Sequence, residues 1–208
     1  TKKLHRVAVR VVPDTLAAQP VVLLWSRLVI TGGDHRRLHE ELTLSGGELG
    51  HDRFSRITQV AKREELLAAA TPVEPTDALF AVLKERFANS KQSIMSAVEA
   101  RSKERLDSLD KTLNDRLTHD LTDLHSVLDE LEQAITRELN PDDAESALYL
   151  PGLSPQEMSQ VSKDIAALES RLARIPAERA AEEAAIRRQY ADPVARTFPA
   201  AVIFLVPE

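Results

Sequence analysis

The sequence predicts an α+β fold: a small antiparallel β-sheet base carrying a long antiparallel helical hairpin, a coiled-coil-like arm. Three observations carry this. Strand-like, β-branched segments lie at both ends of the chain, a run from Asp77 to Leu139 contains neither glycine nor proline, and a second helical stripe follows it. A strand at the far end needs partners, and the sheet at the start supplies them, so the middle must leave the base and return. The predicted divisions are a β-rich base with a short helix over 1–75, the hairpin arm over 76–192, and a returning strand over 193–208.

In the segment KKLHRVAVRVVP, Val7, Val9 and Val11 fall on one side of a strand and Ala8, Arg10 and Val12 on the other. VVLLWSRLVIT is β-branched and apolar on both faces, which predicts a strand covered on both sides. RRLHEELTLSGGEL places Leu38, Leu42 and Leu44 in phase, and Ser45-Gly46-Gly47 reads as a turn closing a hairpin. A short helix follows over roughly Ile57 to Ala70 and ends at Pro72 and Pro75, after which Thr76 or Asp77 can cap the next one. From there a single helix of about 60 residues would be about 90 Å long.

Along its second half Leu106, Leu117, Leu128 and Leu139 recur every eleven residues. That repeat gives a nearly straight seam, unlike a strict heptad. One narrow stripe wants one partner helix. Met158, Val161, Ile165, Leu168, Leu172 and Ile175 step by three and four within Pro155 to Ala191, which supplies it; the competing arrangement pairs the stripe with a second copy in a dimer. Asn140-Pro141-Asp142 and Leu150-Pro151-Gly152 bracket the intervening turn, and Pro176 is expected to break or kink the returning helix. Leu79, Phe80, Leu83 and Phe87 are expected to pack on the base. The last stretch, FPAAVIFLVPE, reads as a strand with Val202, Phe204 and Val206 opposing Ala201, Ile203 and Leu205.

With 208 residues, 43% apolar but only 4% aromatic and 29% charged, the composition suits a modest core plus long solvated helices better than a compact enzyme. Absence of cysteine excludes disulfides, thiolate catalysis and thiolate zinc sites, and fits a reducing cytoplasm. The runs VVLLW and AAVIFLV are too short to span a bilayer, so no membrane partner is expected. Opening on Thr1 and entering a strand pattern at once, the chain reads as an excised piece of a longer protein.

Charge is uneven. Residues 1–63 carry eleven Lys or Arg against six Asp or Glu, residues 84–105 six against three, and residues 106–148 three against twelve. A phosphate backbone would be attracted to the first two and repelled by the third. Lys84, Arg86, Lys91, Arg101, Lys103 and Arg105 are the leading candidates for nucleic-acid contact, with Arg36 and Arg37 and then Arg6, Arg10, Arg53 and Arg56 behind them. No aromatic interleaving of the kind that stacks single-stranded bases accompanies them.

Neither GxxxxGK[ST] nor GxGxxG occurs, and Gly46, Gly47 and Gly50 precede no helix signal placed to receive a phosphate, so no nucleotide cofactor is expected. His35 and His39, with Asp34 or Glu40, have metal-ligand types, but their i, i+4 spacing serves a metal only on a helix and this segment reads as turn into strand. His119 and His125 lie on different faces of the arm. Glu130 and Glu132 read as a solvated helix face, since nothing supplies a buried pocket to shift their pKa values. Neither a metal site nor an independent catalytic site is predicted.

The segments RLHEELTLSGGEL, HDRFSRI, PTDALFAVLKERFANSKQSIMSAVEARSKERLDSLDKTLNDR, ELEQAITREL and RTFPAAVIFLVP together resemble the C-terminal region of large bacterial Swi/Snf-type helicases, and among these the helicase of DISARM-type anti-phage defence systems. The resemblance implies a parent with two upstream ATPase lobes that move on double-stranded DNA. It carries over no catalytic residue, because no nucleotide-binding motif lies in these segments. What it implies is a non-catalytic accessory domain that contacts the ATPase lobes, double-stranded DNA or other defence-system subunits. One expectation is a protein-interaction arm with an acidic half; the others are an auxiliary DNA clamp through the basic base and arm root, and a homodimerising coiled coil.

Overall fold

A computed structural model describes residues 6–51, 53–140 and 154–208. It contains β1 (Val7–Val12), β2 (Val21–Thr31), β3 (Arg37–Leu49), β4 (Phe54–Arg56), α1 (Val60–Ala69), β5 (Thr71–Pro72), α2 (Asp77–Asn89), α3 (Lys91–Glu138), α4 (Pro155–Tyr190) and β6 (Val194–Pro207). The chain divides into two compact units, 1–110 with 192–208 and 111–191. Among the described residues no helix is long and apolar enough to cross a membrane.

The first unit is a six-stranded sheet in the order β4-β3-β2-β6-β1-β5. Both ends of the chain meet in it, as the strand patterns predict. The sheet is mixed, however: β6 pairs antiparallel with β2 but parallel with β1, Val7 opposite Val202 and Val12 opposite Pro207. Alternation fixes which face a side chain takes but carries nothing about strand direction, which is where the wholly antiparallel expectation fails.

Val9, Val22, Leu24, Phe204 and Val206 form one core with Leu83 of α2 and Ile94 and Val98 of α3, against which Leu79 and Phe87 pack. Phe87 meets Phe204 edge to face, ring centroids 6.0 Å apart. Phe80, expected there too, is 38% exposed. On the opposite face Val12, Val21, Leu23, Leu44 and Leu205 pack with Leu66 and Ala70. Val21 to Leu24 are thus buried on both sides as expected, whereas further along β2 Arg27 is exposed. Leu42 does not join the core either, being 64% exposed.

Ser45-Gly46-Gly47 is not a turn. β3 runs straight through it, and the hairpin is closed by residues 32–36, where Gly32 N–H donates to Arg36 O (3.0 Å), Arg36 N–H donates to Asp34 Oδ1 (2.9 Å) and His35 takes φ 65°. The two glycines serve close approach instead. A Cβ on Gly46, whose φ is 152°, would overlap the carbonyl of Val22, and one on Gly47 would overlap that of Ser55.

Thr76 caps α2 as predicted, its Oγ1 accepting from Leu79 N–H at 3.3 Å. The single 60-residue helix is not formed. α2 ends at Ser90, which has φ −98° and ψ 4°, and α3 starts anew at Lys91. Asn89 and Ser90 compete for backbone hydrogen bonds and weaken a helix without glycine or proline. In exchange Leu83, Phe87 and Ile94 all reach the same core.

In the second unit α4 packs along α3 through Leu128, Ile135 and Ile175, with Leu124, Leu131, Leu139, Leu168 and Leu172 around them. From Leu124 to Leu139 the seam predicted from the eleven-residue repeat is therefore filled by the helix of the same chain, while Met158, expected in the facing stripe, is 39% exposed. Of the break or kink expected at Pro176 the break does not occur, since α4 runs on through it. Pro176 is exposed, so water can take the carbonyl that lost its donor, and the neighbouring Ile175, 1% exposed, holds the helix in place. Ser154 and Glu157 form a capping box at its start. The predicted bracketing turns involving Pro141–Asp142 and Leu150–Gly152 lie outside the described residues, as does the start of the first strand segment before Arg6.

Candidate functional site

The basic residues singled out in sequence sort into two groups. Arginines of the first group are engaged, Arg105 and Arg56 by carboxylates far away in sequence and the others by nearby carboxylates or backbone carbonyls. Arg105 on α3 grips Glu41 of β3 with two bonds, Nε to Oε1 at 2.5 Å and Nη2 to Oε2 at 3.0 Å. That guanidinium holds the Glu41 carboxyl below the usual range even against partial burial, and His39 Nε2 adds a contact at 3.2 Å. Glu104 is shared by Arg56 of β4 at 2.7 Å and Arg101 at 3.6 Å. Arg37 and Arg27 both bind Glu40, Arg27 at 2.6 Å, which lowers the Glu40 pKa; Arg36 lies 3.4 Å from Asp34. Arg86 and Arg10 donate to the carbonyls of Leu49 and Ala70 at 3.4 and 3.3 Å.

Lysines make the second group. Lys84, Lys91 and Lys103 are exposed and, among the described residues, have no ion-pair partner; Arg53 and Arg6 are exposed as well. They do not converge. Lys84 borders an apolar hollow with Phe80, Phe87 and Phe204, while Lys91 and Lys103 stand about 18 Å apart along α3 at 1.5 Å per residue. The structure brings together Arg56, Arg101 and Arg105 against α3 and Arg36 and Arg37 at the β2–β3 hairpin, each group with its own carboxylates.

Arg63 on α1 is a basic residue that sequence reasoning passed over. It is 1% exposed, donates to the carbonyl of Ile57, and leaves Nε and Nη2 without a partner. Burial, then the nearby Arg101 and Arg56, push its pKa below the ordinary arginine value. The signal that could have found it is spacing: Val60, Leu66 and Leu67 at i−3, i+3 and i+4 put Arg63 on the apolar face of α1, and Leu66 is fully buried.

His35 sits in the turn and His39 in the strand, and among the described residues no group of three or more His, Cys, Asp or Glu is placed to hold a metal. His119 is exposed beside Asp123 at 3.4 Å. His125 instead ties α3 to Glu183 of α4 at 2.7 Å. With Asp120 to Tyr190 at 2.7 Å and Asp129 to Arg179 at 2.5 Å, it fixes the antiparallel register of the helices. Burial first, and the Asp120 carboxylate second, push the Tyr190 phenol up to about 12. Glu130 is exposed, and Glu132 lies 3.6 Å from Arg179.

These arrangements can hold surfaces together; none aligns a nucleophile, a base and an oxyanion donor around one point. Compared with known proteins, the chain matches no protein-family model and no curated protein.

Proposed function

We propose that this chain is a non-catalytic accessory module of an ATP-dependent Swi/Snf-type DNA helicase, working by protein interaction or motor regulation rather than by gripping DNA. The helicase context rests on the sequence resemblance. One observation carries the choice of mode: Arg36, Arg37, Arg56, Arg101 and Arg105, which a phosphate backbone would need, are engaged by Asp34, Glu40, Glu41 and Glu104. A phosphate would first have to displace these carboxylates, and the part-buried, two-bonded Arg105–Glu41 pair resists that most. The acidic composition of residues 106–148 supports the same choice.

The test is fluorescence anisotropy of a labelled DNA duplex at about 50 and 200 mM salt, the range over which phosphate contacts lose affinity steeply. No binding at micromolar protein in low salt is the expected result. Salt-sensitive binding that weakens when Lys84, Lys91 and Lys103 are changed to Glu would replace this reading with the DNA clamp.

A further inference from the structure

The six-stranded sheet has one uncovered region. Beyond Trp25 it narrows to β3, β2 and β6, because β4 reaches β3 only at Gly47 to Leu49 and β1 reaches β6 only from Val202 onward. On one face of this narrow part Ser26, Leu28 and Ile30 are fully buried, under α3, where Ser102 bonds Thr197 and Arg105 bonds Glu41. The other face is open. Cross-strand register lines up Leu42, Arg27 and Phe198 in one row and Glu40, Val29 and Arg196 in the next, with Val194 beside Thr31 after them. Leu42 is 64% exposed, Phe198 52% and Val194 51%. Toward the inner end of the same face, α1 covers Val21 and Leu23. The open part therefore lacks the layer that every other part of the sheet's central strands has.

We infer that this open face binds an acidic amphipathic helix of a partner protein. Shape argues for a helix: three strands spaced by about 4.8 Å make a platform about 10 Å across, and Arg27 to Thr31 extends it about 13 Å, which matches a helical segment of about nine residues. Charge argues for acid. Arg27, Arg36, Arg37 and Arg196 around the apolar rows leave a net positive charge over Glu40 and Asp34, and Arg196, with no carboxylate among the described residues, is the one that an acidic side chain reaches without displacing an existing pair. A second copy docked face to face would oppose arginine to arginine, and a phosphate backbone would leave Leu42 and Val194 nothing to be buried against. The inference deepens the protein-interaction reading and rests on it, naming the surface and the chemistry of the partner.

A stapled helical peptide of about nine residues, with leucine at i, i+3, i+4 and i+7 and glutamate elsewhere, is the probe, and its lysine counterpart the control. Titrated with the 208-residue chain, the glutamate peptide is expected to bind and to slow backbone exchange in β2, β3 and β6 around Arg27. Phe198→Asp and Leu42→Asp, both at exposed positions and so compatible with folding, are each expected to weaken it about tenfold or more, as loss of a central anchor does; the lysine peptide should bind at least tenfold more weakly. Equal binding of both peptides, no binding, or indifference to Phe198→Asp overturns the inference. So does a concentration-dependent mass abolished by Leu42→Asp, which would make the occupant a second copy. Because the DNA reading is scored by the Lys84, Lys91 and Lys103 changes, which lie on α2 and α3 and off this face, failure here leaves the broader reading standing, and DNA binding lost in those variants removes it independently.

Discussion

The sheet unit and the helical unit solve burial in opposite ways. In the first, Val12, Leu23, Leu24, Leu28 and Ile30 reach 1% exposure or less beneath the helices, and Arg63 is the one charged side chain buried among the described residues. In the second, Leu128 and Ile135 retain 8% and 4%, only Ile175 falls to 1%, and the rest of the seam is half-buried. Two helices offer each other one stripe, so the apolar seam is narrow and its flanks are polar. Specificity then moves to those flanks, where His125–Glu183, Tyr190–Asp120 and Arg179–Asp129 lock the register that apolar contacts alone leave free to slip by a turn.

The difference can be broken first at its strongest point. Gly46→Ala places a methyl against the Val22 carbonyl in a backbone conformation that side chains avoid, and a loss above about 4 kcal/mol, read as failure of the sheet unit to fold, is expected. Truncating one core residue in each unit sharpens the contrast. Leu24→Ala should cost about 3–5 kcal/mol and Ile175→Ala about 2–3, since the seam borders solvent and can relax; denaturation of both variants checks the order, and equal losses would contradict the two modes of burial. The smallest effect is at the flank. Tyr190→Phe should cost about 1 kcal/mol and raise exchange in α3 near Asp120 and in the last turns of α4. The same group makes a pH statement. Its phenol is raised to about 12 from an ordinary 10.0, so its contribution is complete below pH 10 and fades as pH climbs through about 12. Absorbance titration of tyrosinate follows this directly, and Tyr190→Phe should remove the high transition.

Much of this was legible in the sequence because it is periodic. Alternation at Val202 to Val206 and the eleven-residue leucine repeat report faces, and both faces came out as expected, as did the cap at Thr76. What periodicity does not encode is pairing. Glu41 meets Arg105, and Arg56 meets Glu104, only because the sheet and α3 bring distant segments together, so the basic candidates looked free when read along the chain. Glycine was ambiguous for a related reason: a turn and a close strand approach both select Gly46 and Gly47, and only the neighbouring strands decide. The break at Asn89-Ser90 was hidden because it uses weak helix formers rather than a breaker. Leu42 and Phe198 fit strand patterns perfectly well, yet which half of a face gets covered depends on how far α1 extends.

The position of β6 has a consequence in time. Of the six strands of this sheet it is made after the other five, yet it sits between β2 and β1 in the finished order. As the chain emerges during synthesis, β2, β3 and the helices are already out while the slot beside β2 stands empty, and β1 has no neighbour but the two-residue β5. Closing that gap joins Val7 to Val202 across nearly the whole sequence, the kind of long-range pairing that slows folding. Until then Leu23 and Leu24 lack one flanking strand, and a chaperone or neighbouring domain has its longest opportunity to hold the nascent sheet open.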